Sequence, residues 1–162
     1  SGITKYFCQE NKGKIPVYRC SKSENITLGY IKPDVNGVKY YKDCLTWNRN
    51  GSVGYFFLRK GKFATNEDHR TLKIKNKYSN KIHLPYIRYI LQNSVKKLGY
   101  NFSNKLGKEK ISSITVQIPV TDDGSVNLKL QEETAKVYEK IYAVKKGLVD
   151  NLQIINESVV AI

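Results

Sequence analysis

The 162-residue sequence predicts an α+β protein: a small, mixed, mostly β domain over residues 1–124, followed by one long C-terminal helix over residues 125–162. Three observations predict it. Short runs rich in β-branched and aromatic residues fill the first half, separated by Gly, Asn and Lys clusters. From Lys129 onward there is no proline, and apolar residues recur at steps of three and four. The charge divides along the same line: residues 1–112 carry 23 basic and 7 acidic side chains, net +16, whereas residues 113–162 carry 5 and 7, net −2.

The strand candidates are residues 15–20, 26–31, 40–47, 53–58 and 71–75. Asn48-Arg49-Asn50-Gly51-Ser52 places an Asn-Gly signal between two of them and marks a hairpin. Residues 85–95 depart from the pattern, because Pro85 at a first turn and apolar residues at helical spacing predict a packed helix. The apolar run 114–119 reads as a strand stopped by Pro119, followed by the turn signal Thr121-Asp122-Asp123-Gly124. In the long helix Val137, Ile141, Val144, Leu148, Leu152, Ile155 and Val159 form one stripe. Its spacing of about 3.67 residues per turn keeps the seam nearly straight. At ~1.5 Å per residue some thirty residues reach ~45 Å, so the helix overhangs a small domain and its stripe calls for a partner helix.

With 40% apolar, 11% aromatic and 26% charged residues the composition is that of a folded protein. A net charge of +14 favours polyanionic partners, with nucleic acid first. No apolar run is long enough to span a bilayer and no signal-peptide core opens the chain, so no membrane role and a cytoplasmic location are expected. Cys8, Cys20 and Cys44 are odd in number and lack ligand spacing, and are read as reduced thiols. Methionine is absent, so Ser1 is no retained initiator and the chain is expected to be a fragment or a processed product.

Nucleotide-hydrolysis, dinucleotide and serine-hydrolase motifs are missing. Pro33-Asp34 could open the acidic site of a metal-dependent nuclease, yet no later acidic residue is followed two positions on by lysine, and Asp68-His69-Arg70 comes nearest. A small metal-dependent DNA endonuclease, or the DNA-recognition part of a fused restriction enzyme, stays as the alternative. No catalytic residue, metal ligand or cofactor is assigned.

The stronger constellation suits binding. Arg49, Asn50 and Ser52 lie in the hairpin turn, and Arg59, Lys60 and Lys62 flank Gly61. Asn101, Asn104, Lys105, Lys108 and Lys110 stand near Gly99 and Gly107. These are side chains that contact phosphates and base edges, on turns that glycine lets approach a backbone. Asn66, His69 and Arg70 belong to a polar cluster between strand-like segments, where a solvated turn and a base-contacting or positioning role both fit. His83, leading into a helix, reads as structural, and most of the twelve tyrosines, with Trp47, read as packing residues.

The order of features carries a resemblance. Gly13-Lys14-Ile15-Pro16-Val17-Tyr18-Arg19-Cys20-Ser21 leads to Leu28-Gly29-Tyr30-Ile31, then to Leu45-Thr46-Trp47-Asn48-Arg49-Asn50-Gly51-Ser52-Val53-Gly54 and Gly61-Lys62-Phe63-Ala64-Thr65-Asn66. Ile118-Pro119 follows, and Gln131-Glu132-Glu133-Thr134-Ala135 opens the long helix. This resembles the target recognition domain and conserved helix of the DNA specificity subunits of type I restriction-modification systems, over nearly the whole chain. The resemblance implies a non-catalytic reader of double-stranded DNA. It directs partner methyltransferase (modification) subunits, which bring S-adenosylmethionine, and a restriction subunit. Such subunits carry two recognition domains and two helices paired antiparallel. This chain has one of each, so it is expected to be half a subunit, its helix meeting a second recognition domain's helix or that of a second copy in a homodimer.

Overall fold

The computed structural model describes the backbone of residues 2–159 and side chains up to Ser158. The chain divides into two compact units, 1–117 and 118–162. The first contains a five-stranded mixed sheet and the second the long helix.

The first unit opens with helix α1 (Lys5–Glu10), started by Thr4, whose hydroxyl accepts from the Phe7 N–H at 3.1 Å. Strands β1 (Lys12–Tyr18) and β2 (Thr27–Ile31) pair antiparallel. Strands β3 (Tyr40–Asn48) and β4 (Phe56–Thr65) form the expected hairpin, but the strand predicted at residues 53–58 begins only at Phe56, leaving 53–55 in the loop, and runs on to Thr65. Strand β5 (His69–Leu72) lies antiparallel along β3, and β1 joins β4 in parallel, giving the order β2-β1-β4-β3-β5.

That order forces a bend. In a flat ribbon the nine steps from Phe56, opposite Trp47, to Thr65 would span ~30 Å at about 3.3 Å per residue. Yet β5 starts beside Asn48, and the link 66–68 with its flanking bonds reaches at most ~14 Å. The ribbon therefore folds back on itself at its register shift between Lys42 and Cys44. There Asp43 has φ 47° and Gly61 φ 71°, and the Asp43 carboxylate accepts from the Gly61 N–H at 2.8 Å. The bend brings the far end of β4 round to the hairpin loop.

Val17, Ile31, Leu45, Phe56, Phe63 and Leu106 are fully buried. Helix α2 (Leu84–Lys97), longer at both ends than predicted, buries Tyr86, Ile87, Tyr89, Leu91 and Val95 and packs on β4. Its Gln92 grips the hairpin loop, accepting from Phe56 N at 3.0 Å and donating to Gly54 O at 2.8 Å. A 3-10 turn (Asn76–Tyr78) precedes α2, and the short helix α3 (Lys108–Ser112) follows it.

The strand expected over residues 114–119 does not form. Gln117 O is taken by the Tyr86 hydroxyl at 2.8 Å, Pro119 has no N–H to give, and ladder pairing shrinks to one bridge between Val120 and Val126. In the second unit a turn closed by Thr121 N–H to Ser125 O at 2.8 Å leads to Asn127, whose side chain accepts from Leu130 N at 2.9 Å and opens helix α4 (Leu128–Val159). The 32 residues of α4 reach ~48 Å at ~1.5 Å each. Val137, Ile141, Val144, Leu148, Leu152 and Ile155 are each 43–64% exposed, and the side chain of Val159 lies outside the described residues.

Candidate nucleic-acid interface

Three loops meet at one end of the sheet: the β1–β2, β3–β4 and β4–β5 connections. The knot that ties them is a buried amide and imidazole. Asn48, 0% exposed, donates from Nδ2 to Ser21 O at 2.7 Å and to Ser52 O at 2.8 Å, reaching one loop and closing another. Those two carbonyls fix the amide's orientation, so its Oδ1 faces His69 Nε2 at 2.7 Å and the ring must donate there. His69 Nδ1 lies 3.3 Å from Tyr18 O, whose other contact is the Asn66 N–H at 3.2 Å. Burial, above all, pushes the His69 pKa down to about 4, against the pull of the Tyr18 carbonyl and with help from the Arg59 charge. His69 is therefore neutral near pH 7 and, at 2% exposed, is held inside rather than in a solvated turn.

Around this knot Arg49 N donates to Asp68 O at 2.9 Å, and Cys20 Sγ lies 3.2 Å from the same oxygen. Burial raises the Cys20 thiol to about 11, and all three cysteines are free. Asn50 Nδ2 donates to the Asp68 carboxylate at 3.3 Å. Arg49 Nε, Asn50 Oδ1 and Asn66 Oδ1 are left without a protein partner. All three are buried atoms, on two adjoining loops.

Arg59 goes elsewhere. It lies within β4 rather than on a turn, is 2% exposed, and stacks its guanidinium 3.7 Å from the Tyr18 ring centroid and 4.8 Å from that of Phe57. It bonds Thr46 Oγ1 at 3.3 Å and Glu24 O, so it braces the sheet instead of facing a ligand. Lys60 and Lys62 are exposed at the bend, where Lys62 Nζ holds Pro33 O at 2.6 Å.

Of the remaining candidates, Asn66, Arg70 and Lys108 come together at a cleft that His69 also lines. The Trp47 indole donates to Leu106 O at 3.0 Å, drawing the α2–α3 loop onto β3, and Arg70 pairs with Trp47 from the other side. A cleft of about 480 Å³ results, lined among others by Lys39, Asn66, Arg70 and Lys108, with Glu67 as its acidic member. Lys110 binds the Asn104 side chain, while Asn101, Asn104 and Lys105 are exposed farther along the loop. Lys39, Lys73, Lys75 and Lys77, with the knot residue Asn48, were not among the binding residues expected from the sequence. The signal was present: between Asp68 and Glu109 there is no acidic residue, while ten basic ones stand from Arg70 to Lys108. Asp34 is exposed between β2 and β3, and among the described residues no three His, Cys, Asp or Glu side chains cluster to hold a metal. No helix is long and apolar enough to cross a membrane among those residues.

A family model described as "Type I restriction modification DNA specificity domain" matches residues 2–154. The chain is 31% identical over 145 residues to the specificity subunit of the type I restriction enzyme MpnII of Mycoplasma pneumoniae, covering 86% of this chain and 39% of that subunit. A further M. pneumoniae protein described as a type I specificity subunit is likewise 31% identical over 145 residues, 86% of this chain and 55% of its own. Two solved structures share the fold. One is a chain of a type I R-M system, with TM-score 0.60, 10% identity, and coverage of 86% of this chain and 35% of the other. The second is the type I restriction-modification S subunit from M. genitalium, with TM-score 0.55, 18% identity, and coverage of 91% and 37%. The chain thus spans little more than half of these proteins at most.

Proposed function

The chain belongs to the family of type I restriction-modification DNA specificity domains, and on that premise we propose that it is one sequence-reading half of a specificity subunit. The observation that carries this reading is the Asn48–His69 knot. It holds three loops in register, with Arg49 and Asn50 on one and Asn66 on the next, in a chain whose stretch from Arg70 to Lys108 has ten cations and no acid. Arginine and asparagine read guanine and adenine edges, and the exposed lysines hold phosphates. The domain contributes no chemistry of its own and directs methyltransferase and restriction subunits to the site. Its apolar stripe on α4 pairs with the helix of a second recognition domain, or antiparallel with that of a second copy.

The test is selection from randomised duplex DNA followed by titration of the selected site against salt. Neutralising ~5 to 8 phosphates predicts a slope of log K against log salt of about −4 to −7. Arg49→Ala should weaken binding by ~1 to 3 kcal/mol and relax one position of the selected sequence. A slope near zero, or no enriched sequence, defeats the proposal.

A further inference from the structure

Phe102 differs from every other phenylalanine of the chain. Phe56, Phe57 and Phe63 are buried and Phe7 is half-buried, whereas the Phe102 ring is 69% exposed. It sits near the tip of a tight turn, residues 101–104, that closes without its help. Asn101 N–H donates to Asn104 O at 3.2 Å, and Asn101 Oδ1 accepts from Ser103 N at 2.9 Å and Asn104 N at 3.0 Å. The turn is therefore preformed and holds the ring outward. Its base is seated by buried Leu106, whose carbonyl takes the Trp47 indole, and Lys108 just beyond lines the cleft with Arg70 and Asn66.

The surroundings specify what the ring meets. Residues 96–110 carry five lysines against Glu109 alone, and Lys105 Nζ lies 5.6 Å from the Phe102 centroid. An apolar ring framed by cations, at the edge of the proposed DNA face, suits a partner that is polyanionic outside and flat and apolar within. That is the chemistry of a base-pair stack. We infer that Phe102 is a wedge that enters a base-pair step of bound duplex DNA while the neighbouring lysines neutralise the flanking phosphates. The inference rests on the reading of this unit as a DNA reader and adds to it a deformation of the site, so that easily unstacked steps are favoured at a position no polar group reads.

The experiment uses the full chain, the selected duplex, and 2-aminopurine placed in turn at each step. Binding should raise the fluorescence several-fold at one step. Phe102→Ala should abolish that rise and weaken binding about 5- to 20-fold, and Phe102→Trp should retain both. The ring is exposed, so both variants should keep the thermal unfolding of the unsubstituted chain. Tight sequence-selective binding with no rise at any step, or with Phe102→Ala indistinguishable, overturns the wedge and leaves the reader standing. Failure of the unsubstituted chain to bind DNA overturns both. Loss of methyltransferase-subunit binding in Phe102→Ala, with DNA binding intact, reassigns the ring to a protein partner and also overturns the wedge.

Discussion

Replacing Asn48 by alanine should separate the three loops while leaving the strands intact. The side chain makes three bonds, to Ser21 O at 2.7 Å, Ser52 O at 2.8 Å and His69 Nε2 at 2.7 Å. At about 1 kcal/mol each these amount to ~3 kcal/mol. The two stranded carbonyls add to the loss, because both sites are partly shielded from water. His69 recovers some of it: freed from an acceptor at Nε2, its proton can move to Nδ1 and donate to Tyr18 O, now 3.3 Å away. The net expectation is a loss of about 3 kcal/mol, a large share of the ~5 to 15 kcal/mol that stabilises a typical domain. Urea unfolding measures it as a lower midpoint at unchanged slope, and the two-bond proton–nitrogen spectrum of the imidazole reports the shift from the Nε2–H to the Nδ1–H tautomer. A loss under about 1 kcal/mol, or an imidazole already protonated at Nδ1 in the unsubstituted chain, would refute the reasoning.

The same histidine sets a pH dependence. With its pKa near 4 when folded and 6.5 as the ordinary value, the unfolded chain binds the extra proton first. Stability should be complete above pH ~6.5 and fall by roughly 3 kcal/mol on the way to pH ~4; urea midpoints against pH should lose that step in His69→Gln, and a flat profile for the unsubstituted chain would contradict it. Gly13→Ala should destabilise by ~2 to 4 kcal/mol or prevent folding, because a Cβ there would sit 2.4 Å from the backbone of Ile31 and Lys32, where neither strand can yield. Unchanged thermal unfolding would show that the β1–β2 pairing is looser than described. Leu148→Asp should abolish self-association through α4, since it puts a charge at the middle of an apolar seam. Sedimentation of the unsubstituted chain as a monomer at tens of micromolar would refute pairing between copies.

Much of this protein was legible one residue at a time. Periodicity determines α4 because a helix without proline repeats its face every 3.6 residues whatever surrounds it, and alternation with Asn-Gly marks the β3–β4 hairpin for the same local reason. The basic character of the first unit is likewise a sum over residues, and the family resemblance rested on their order. Other features depend on what meets across the fold. The run 114–119 has the composition of a strand but finds the Tyr86 hydroxyl where a ladder partner was needed. Arg59 and His69 carry the side chains of a binding surface, and the fold-back at Asp43 and Gly61 carries them inside, one between aromatic rings and the other onto Asn48. Asn48 itself reads locally as the start of a turn. Its role as the knot of three loops exists only because residues 18, 21, 48, 52 and 69 converge, and a contact between distant residues has no energy until the chain has folded to make it.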